Sequence, residues 1–455
     1  MVKQQRKGKR IKTMGIEPAK KIENSSRSDM ISDLPDHIID NILICLPIQE
    51  AVRTSILSKK WRFKWRYLPK LVFDNSSYET AIIPSTAQPS IAKFFLNIYK
   101  VLFLHHGPLL NFTFHVPLLK RYPEIDQLML YLSEKDVQEI FFKIGERKTR
   151  RVIDERKAHR MSSFLFSCVA LRHLTLSSCS FPIPLAFQGF VNLISLKLQS
   201  VDFDADVFET FISKCPLLET LSIRDCFDIV NLDFDCPNLK FFHFSGSCKA
   251  ICFRKTSQHL STVIFDESFV GYEKVEPTEI FESLPVVEHL RFGFDFLVYL
   301  RYGGMPKKLS LGCLRVLDLP DLSFGWTDII SVVLCLIVSS PNLEKLELGA
   351  ESADDDNSSL AKELLEVQDF LDNALKKLRV VKMNFAHTVP IKSELQFIKF
   401  LLRESVVLEK IFIQPANRTA AEGALKIVKK IRRFQRSSKK AKIVYLDTDA
   451  DGSEG

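Results

Sequence analysis

The chain has 455 residues, of which 46% are hydrophobic and 26% charged, so it can bury substantial cores and is not wholly disordered. Its longest apolar run, residues 332–338, is far shorter than the roughly 20 residues that span a bilayer, and no signal-peptide core follows the basic N-terminus. We therefore expect no membrane partner and a location in the nucleus, the cytoplasm or both. The formal net charge is +8, but residues 1–30 contain nine Lys/Arg against three Asp/Glu, so the rest is nearly neutral and a nucleic-acid partner is not expected.

Residues 1–30 are predicted to be a disordered basic tail. Their charge fits either a nuclear-import signal or a solvated flexible arm, and the composition favours the arm. The apolar density then rises abruptly at residue 31, where the spacing of the hydrophobic residues becomes helical. An ordered domain therefore begins there.

Residues 31–74 predict three short helices. Pro35 suits the first turn of the first helix, a second can run over residues 51–57, and a third can place Trp61 and Trp65 on one face. About forty residues cannot enclose a large core, so we expect part of this apolar surface to meet a partner. The alternative is a helical cap that packs wholly on the segment behind it.

The same stretch resembles the F-box in the form found in plants. Leu34-Pro35 opens the motif, Leu46-Pro47 divides it, and Leu-Ser-Lys-Lys-Trp-Arg at residues 57–62 leads to Trp65. The resemblance implies binding to a Skp-type adaptor, which links the chain to a cullin and hence to a ubiquitin-conjugating enzyme. The adaptor-binding residues that it implies are Leu34, Pro35, Ile38, Ile39, Leu43, Leu46, Val52, Leu57 and Trp61.

Residues 75–370 are predicted to form an irregular leucine-rich repeat solenoid. The pattern LxxLxL is clearest at Leu171, Leu174 and Leu176, and copies of it continue as far as residue 413. Their first positions lie 21 to 35 residues apart, so we expect inserted loops. The twelve first positions are Leu109, Val137, Leu171, Leu193, Leu218, Leu239, Leu260, Val287, Leu314, Leu343, Leu378 and Leu408.

In each copy the named apolar residues should point inward, and the residues between them should face outward on the concave sheet. The middle outward position is occupied in turn by Thr175, Lys197, Ser222, His243, Ile264, Arg291, Asp318 and Glu347. Lys197, His243 and Arg291, with Arg224 one strand position further out, form a hypothetical basic patch for an acidic segment or a phosphate of the substrate. The alternative, favoured for any single one of them, is an ordinary solvated sheet face.

Residues 371–446 predict a helix and a strand, followed by a second helix and strand. This segment resembles the FBD domain that follows the repeats in a large plant F-box family, most clearly at Glu394-Leu395, residues 397–402 and residues 408–410. A basic cluster over residues 429–440 fits either nucleic-acid binding or the polar side of an amphipathic helix, and we favour the helix. Residues 447–455 are predicted to be an acidic disordered tail.

The motifs of nucleotide, zinc-protease and serine-hydrolase chemistry are not found in the sequence, so we expect no enzyme, no cofactor and no metal. The predicted fold class is an α/β repeat, with a three-helix F-box, a leucine-rich repeat solenoid and a mixed helix/strand FBD-like cap. The predicted function is a non-catalytic receptor of an SCF-type ubiquitin ligase with an unidentified protein substrate. The alternatives are a repeat-based scaffold outside any ligase and, less favoured, a nucleic-acid-binding protein.

Overall fold

A computed structural model carries the fold. It describes residues 31, 33–83, 88–116, 122–145, 159–253, 258–270, 277–306, 309–350, 360–366, 368, 371, 374–385, 392–414 and 428–446. The two predicted disordered tails, residues 1–30 and 447–455, lie outside the described residues. No helix in the described ranges is long and apolar enough to cross a membrane.

The N-terminal module contains two α-helices, α1 (Asp36–Ile44) and α2 (Ile48–Arg53). Each begins directly after a proline, a residue that has no backbone N–H to leave unsatisfied at a helix start. Where the sequence predicts a third helix, the chain instead forms turns and a short 3-10 helix, Lys64–Tyr67. Its aromatic residues are poorer helix formers than Ala or Leu, and both tryptophan rings turn into the module.

Behind the module lies one parallel sheet of 14 strands, which lie side by side in chain order. Four short strands stand outside this sheet. The β-strands are β1 Lys70–Phe73, β2 Ile82–Ile83, β3 Gln88–Pro89, β4 Asn111–Val116, β5 Glu139–Ile144, β6 His159–Arg160, β7 His173–Ser177, β8 Cys179–Ser180, β9 Ser195–Gln199, β10 Thr220–Phe234, β11 Phe241–Phe253, β12 Thr262–Val270, β13 His289–Phe292, β14 Val316–Leu322, β15 Lys345–Ala350, β16 Val380–Asn384, β17 Lys410–Gln414 and β18 Lys442–Tyr445. The short strands form two separate pairs, β2 with β3 and β6 with β8. This arrangement confirms the predicted repeat fold.

Further helices, whose bounds lie within the described residues, connect the strands. They are α3 Asn75–Glu79, α4 Ile91–Leu104, α5 Pro123–Ser133, α6 Ala205–Ser213, α7 Pro277–Glu282, α8 Phe294–Tyr302, α9 Thr327–Val338, α10 Ala361–Glu366 and α11 Lys392–Glu404. Helix α9 contains the longest apolar run of the sequence, and every residue from Val332 to Val338 is buried. The run is therefore a core helix of the solenoid.

Each of the twelve predicted repeat copies coincides with a strand of the sheet, and the apolar residues at the first, fourth and sixth positions of each copy are buried. Strand β1 adds a further copy that is not among the twelve predicted ones, formed by the buried Leu68, Leu71 and Phe73. The sheet thus begins at Lys70, within the range that the sequence assigns to the helical module. At the other end, β18 is the strand predicted for the second helix-strand unit of the cap.

Asparagine side chains join the turns that precede successive strands. Asn238 Nδ2 donates to the Pro216 carbonyl at 2.8 Å, and Asn342 Nδ2 donates to the Gly312 carbonyl at 2.5 Å. Each bond satisfies a carbonyl of the preceding repeat, which would otherwise depend on solvent. These bonds add a polar contact between repeats outside the apolar core.

Candidate docking module and concave face

The predicted adaptor-binding residues fall into three groups by exposure. Pro35 and Leu57 are exposed, and Leu57 shows 47% of its surface. Leu34, Ile38, Leu46 and Val52 are half-buried. Ile39, Leu43 and Trp61 are buried in the module's own core, so they support its surface and are not part of it.

The module also exposes apolar side chains that were not selected as adaptor-binding residues. Ile56 is 88% exposed, and the guanidinium of Arg66 lies over the exposed Phe63 ring, 4.4 Å from its centroid. The useful signal in the sequence was the excess of large apolar residues over what so small a unit can bury. The other exposed members are Ile31, Ile42, Ile44 and Tyr67.

Lys60 of the Leu-Ser-Lys-Lys-Trp-Arg segment and Lys64, two residues after it, hold the first helix in place. Lys60 Nζ donates to the Leu34 carbonyl, and Lys64 Nζ lies 3.4 Å from Asp36 Oδ1 and 3.6 Å from Asp40 Oδ1. These surface ion pairs are weak singly, but they share one cation and act at the same helix. The segment that opens the motif is therefore joined directly to the segment that ends it.

The module is fixed to the solenoid by the loop between α4 and β4. The backbone N–H groups of His106 and Gly107 both donate to the Arg66 carbonyl, at 2.9 and 3.1 Å, and His105 Nε2 lies 2.8 Å from the Leu68 carbonyl oxygen. A side chain on Gly107 would meet the backbone of Tyr67, with its Cβ 2.7 Å from the Tyr67 Cα. The two parts therefore pack backbone to backbone, which sets the orientation of the module on the sheet.

The outward residues at the middle strand position lie in one row on the concave face, as the sequence predicts. Cross-strand register aligns Thr175 with Lys197, Lys197 with Ser222, Ser222 with His243 and His243 with Ile264. It then aligns Ile264 with Arg291, Arg291 with Asp318 and Asp318 with Glu347. All eight positions thus form one row across eight neighbouring strands.

The four residues of the hypothetical basic patch differ in their surroundings. Arg291 Nε donates to Asp266 Oδ1 at 2.8 Å, and its Nη1 donates to Asp318 Oδ2 at 2.7 Å. His243 Nε2 lies 3.2 Å from Asp266 Oδ2. Lys197 and Arg224 are exposed on β9 and β10. The basic patch stays a prediction, with Lys197 and Arg224 as its exposed cations and with His243 and Arg291 in contact with acidic side chains.

Burial and charge act in opposite directions within this network. Burial alone would raise the pKa of Asp266, but its contacts with His243 and Arg291 outweigh burial and hold the pKa below the ordinary value. Burial raises the pKa of Asp318, and Arg291 offsets only part of that rise. Burial also lowers the pKa of His289, which favours the neutral imidazole. The signal for this network was in the ladder itself, where Arg291 and Asp318 occupy equivalent positions on neighbouring strands.

No group of three or more potential metal ligands occurs among the described residues. The adjacent histidines His105 and His106 lie in the loop after α4. His106 Nδ1 contacts the nearby Leu104 carbonyl oxygen at 2.6 Å, and His105 contacts the module as described. Both histidines thus have a structural role in a turn.

A small helical module with exposed apolar side chains, joined to a parallel solenoid of leucine-rich repeats, defines a repeat protein with a docking domain. The F-box domain family model matches residues 31–73, and a model described as the LRR repeats of FBD-associated F-box protein At5g56370 matches residues 125–348. The chain is 33% identical over 428 residues to the F-box/FBD/LRR-repeat protein At1g13570 of Arabidopsis thaliana, covering 92% of this chain and 98% of that protein. It belongs to the plant F-box/FBD/LRR-repeat family.

Two further Arabidopsis thaliana proteins show more distant similarity. The F-box/LRR-repeat protein At5g02910 is 25% identical, with 70% of this chain and 60% of that protein covered. The FBD-associated F-box protein At5g56370 is 29% identical, with 49% and 50% covered. Among solved structures, an LRR protein of Leptospira interrogans aligns over 82% of this chain and 94% of its own, at 15% identity and a TM-score of 0.30.

Proposed function

We propose that this protein is the substrate-recognition subunit of an SCF-type ubiquitin ligase, acting in the nucleus, the cytoplasm or both. In this proposal its F-box docks a Skp-type adaptor, the adaptor links it to a cullin, and the repeats hold a protein target. The observation that carries the proposal is an F-box with exposed apolar side chains, fixed backbone to backbone onto a repeat sheet. Apolar surface concentrated on so small a unit is typical of a docking site.

The chain contributes geometry and no catalytic group in this proposal. Ubiquitin transfer belongs to the partner subunits, and the receptor raises the effective concentration of the target near them. A fixed angle between docking module and sheet serves that task, because a flexible joint would spread the target over a larger volume. The contacts of Gly107 and His106 with Arg66 and Tyr67 support such a joint.

The concave face is the proposed surface for the target. Lys197 and Arg224 are its exposed cations, and Asp318 and Glu347 bring acidic groups to the same face further along the sheet. A target would therefore meet positive charge towards the N-terminal strands and mixed charge in the middle. Complementary charge of this kind selects partners more than it adds affinity.

The test of the proposal is co-purification with a Skp-type adaptor and a cullin from plant cells. We expect the intact chain to bring down both, and Leu57→Asp to reduce adaptor binding about 100-fold, because a carboxylate placed in an apolar interface costs roughly 3 kcal/mol. Leu185→Asp is the matched control, since Leu185 is 83% exposed on the loop between β8 and β9, away from the module. If Leu57→Asp still binds the adaptor at full strength, or if the unmodified chain brings down no adaptor, a repeat scaffold outside any ligase becomes the better description.

A further inference from the structure

The charge of this protein is concentrated at the C-terminal end of the solenoid. Residues 428–446 contain eight Lys/Arg and no Asp/Glu, a charge of +8 that equals the formal net charge of the whole chain. Residues 1–30 carry +6, so the residues outside these two segments together carry −6, of which −4 belongs to the acidic residues 447–455. The net charge of residues 31–455 is close to zero only because positive and negative segments cancel. The C-terminal end of the solenoid is itself strongly positive.

The fold turns the apolar residues of this segment inward. Ile431 is buried, and Phe434 packs against the hydrophobic core. Two serines tie the following turn to the repeat before it: Ser437 N donates to the Leu402 carbonyl at 3.0 Å, and Ser438 Oγ donates to the Leu408 carbonyl at 2.6 Å. The segment is thus a fixed part of the solenoid, and its cations are held on the outside.

Among the residues that the structure describes, most of these cations have no acidic partner. The neighbouring acids are already engaged, because Glu409 lies 3.6 Å from Arg379 and Glu404 lies 3.3 Å from Arg403. Arg436 is bonded to backbone carbonyls, at 3.0 Å to that of Ala441. The other seven form no ion pair with any part of the chain that the structure describes.

Like charges also meet on the last two strands. Register pairs Lys410 of β17 with Lys442 of β18, and both side chains are exposed. Like charges on neighbouring strands repel each other, and an anion lying between them would reduce that repulsion. The cations therefore extend from the helical residues 428–432, through the turn at Lys439 and Lys440, to the last strand.

This extent changes the interpretation of the basic cluster. The sequence favours the polar side of one amphipathic helix, but the helix ends at residue 432 and the cations continue through turns and a strand. None of the large hydrophobic side chains of residues 428–446 is exposed. Protein interfaces generally need buried aromatic or aliphatic anchors, and peripheral membrane binding needs an inserted apolar face. Binding to a phosphate backbone needs only positive charges that are spaced to meet successive phosphates.

We infer that the C-terminal cationic surface, residues 428–446, binds the phosphate backbone of nucleic acid without reading its sequence. The phosphates contact cations that have no ion pair within the described part of the chain, and binding releases counterions from the nucleic acid. This activity is independent of the F-box and of the concave face. It adds a second binding site, in the FBD-like segment, to those of the module and the repeats.

The test measures fluorescence anisotropy of a labelled 20-base-pair DNA duplex of mixed sequence with the full chain, at several salt concentrations. We expect binding that weakens linearly in a log-log plot against salt, with a slope of about −0.9 per phosphate contact. The test variant combines four exposed substitutions: Lys429→Gln, Lys430→Gln, Arg432→Gln and Arg433→Gln. It should bind at least about tenfold more weakly at low salt and reduce the slope by about 3 to 4.

The matched control removes four cations from the basic N-terminal tail, as Lys3→Gln, Arg6→Gln, Lys7→Gln and Lys9→Gln. It should keep most of the affinity, whereas loss of binding here and not in the C-terminal variant would assign the activity to the tail and overturn the inference. Lys439→Gln with Lys440→Gln is a second variant that should also weaken binding, should the fourfold variant fail to fold. The inference is also rejected if the unmodified chain does not bind the duplex at low salt. The same holds if the chain binds polyglutamate or anionic phosphatidylserine vesicles more tightly than the duplex.

Discussion

Gly107 provides the sharpest test of how the F-box is joined to the repeats. In Gly107→Ala the new Cβ would lie 2.7 Å from Tyr67 Cα and 2.9 Å from Tyr67 C and O. The loop must retreat by about 0.7 Å to reach ordinary van der Waals separation, which lengthens the two hydrogen bonds to the Arg66 carbonyl, now 2.9 and 3.1 Å, past their useful range. The module would then lose its closest backbone contact with the solenoid.

The magnitude follows from those contacts. Two weakened backbone hydrogen bonds cost about 0.5 to 1.5 kcal/mol each, and overpacking costs about 1 to 3 kcal/mol when the chain cannot relax. Alanine recovers about 0.4 to 1 kcal/mol by restricting the unfolded chain. We therefore expect Gly107→Ala to lower the free energy of unfolding of the module by about 3 kcal/mol. Gly312→Ala is the control, because a Cβ there meets no atom within 4 Å.

Urea titration followed by tryptophan fluorescence isolates the module. Trp61 and Trp65 are buried within it, whereas Trp326, the third tryptophan, is 52% exposed in the solenoid. We expect the midpoint of the fluorescence transition to fall by about 1 to 2 M in Gly107→Ala and to stay within about 0.3 M in Gly312→Ala. Equal midpoints in the two variants, or a higher one in Gly107→Ala, would refute the close backbone packing.

Two other predictions concern the repeats. Asp266→Asn should lower the free energy of unfolding by about 1 to 2 kcal/mol at neutral pH. The pKa of Asp266 is lower in the folded state than its ordinary value of 3.8, so the stability difference between the two proteins should be fully present above pH 3.8. It should vanish as the pH falls through the folded-state pKa. A stability difference that does not change with pH would contradict this prediction. Asn342→Ala removes hydrogen bonds to Gly312 and from Lys377, at 2.5 and 2.6 Å, so thermal unfolding should reveal a loss of about 1 kcal/mol. Asn238→Ala, which removes one such bond, should lose about half as much, and equal losses would be evidence against additive ladder bonds.

Most of the sheet was predictable because a leucine-rich repeat ties sequence spacing directly to strand position. A repeat cannot bury its apolar face alone, so each LxxLxL copy has to stack on the next one, and the residues between them have to alternate outward. Thr175 to Glu347 therefore formed the predicted row. The copy at Leu68 was missed because it lies next to the tryptophan-rich end of the helical module, where the predicted helix concealed the strand.

The site was less predictable than the sheet. The sequence places Arg291 on the concave face, but its two acidic partners come from β12 and β14, and only the register of the folded strands brings them within 2.8 Å. Likewise, the F-box pattern identifies Ile39 and Trp61 without showing that they are buried. Which apolar residues of so small a module remain outside depends on how its turns pack, and periodicity does not predict that.

The sequence by itself determined the order of the parts, the inward residues of twelve strands and the family resemblance of both ends, because these depend on local spacing along the chain. The tertiary structure alone decided which charges are compensated. It paired Arg291 with two carboxylates, and it left the cations of residues 428–446 without acidic partners in the described chain. Charge compensation depends on distances of a few ångströms between residues far apart in sequence, and those distances exist only in the folded chain.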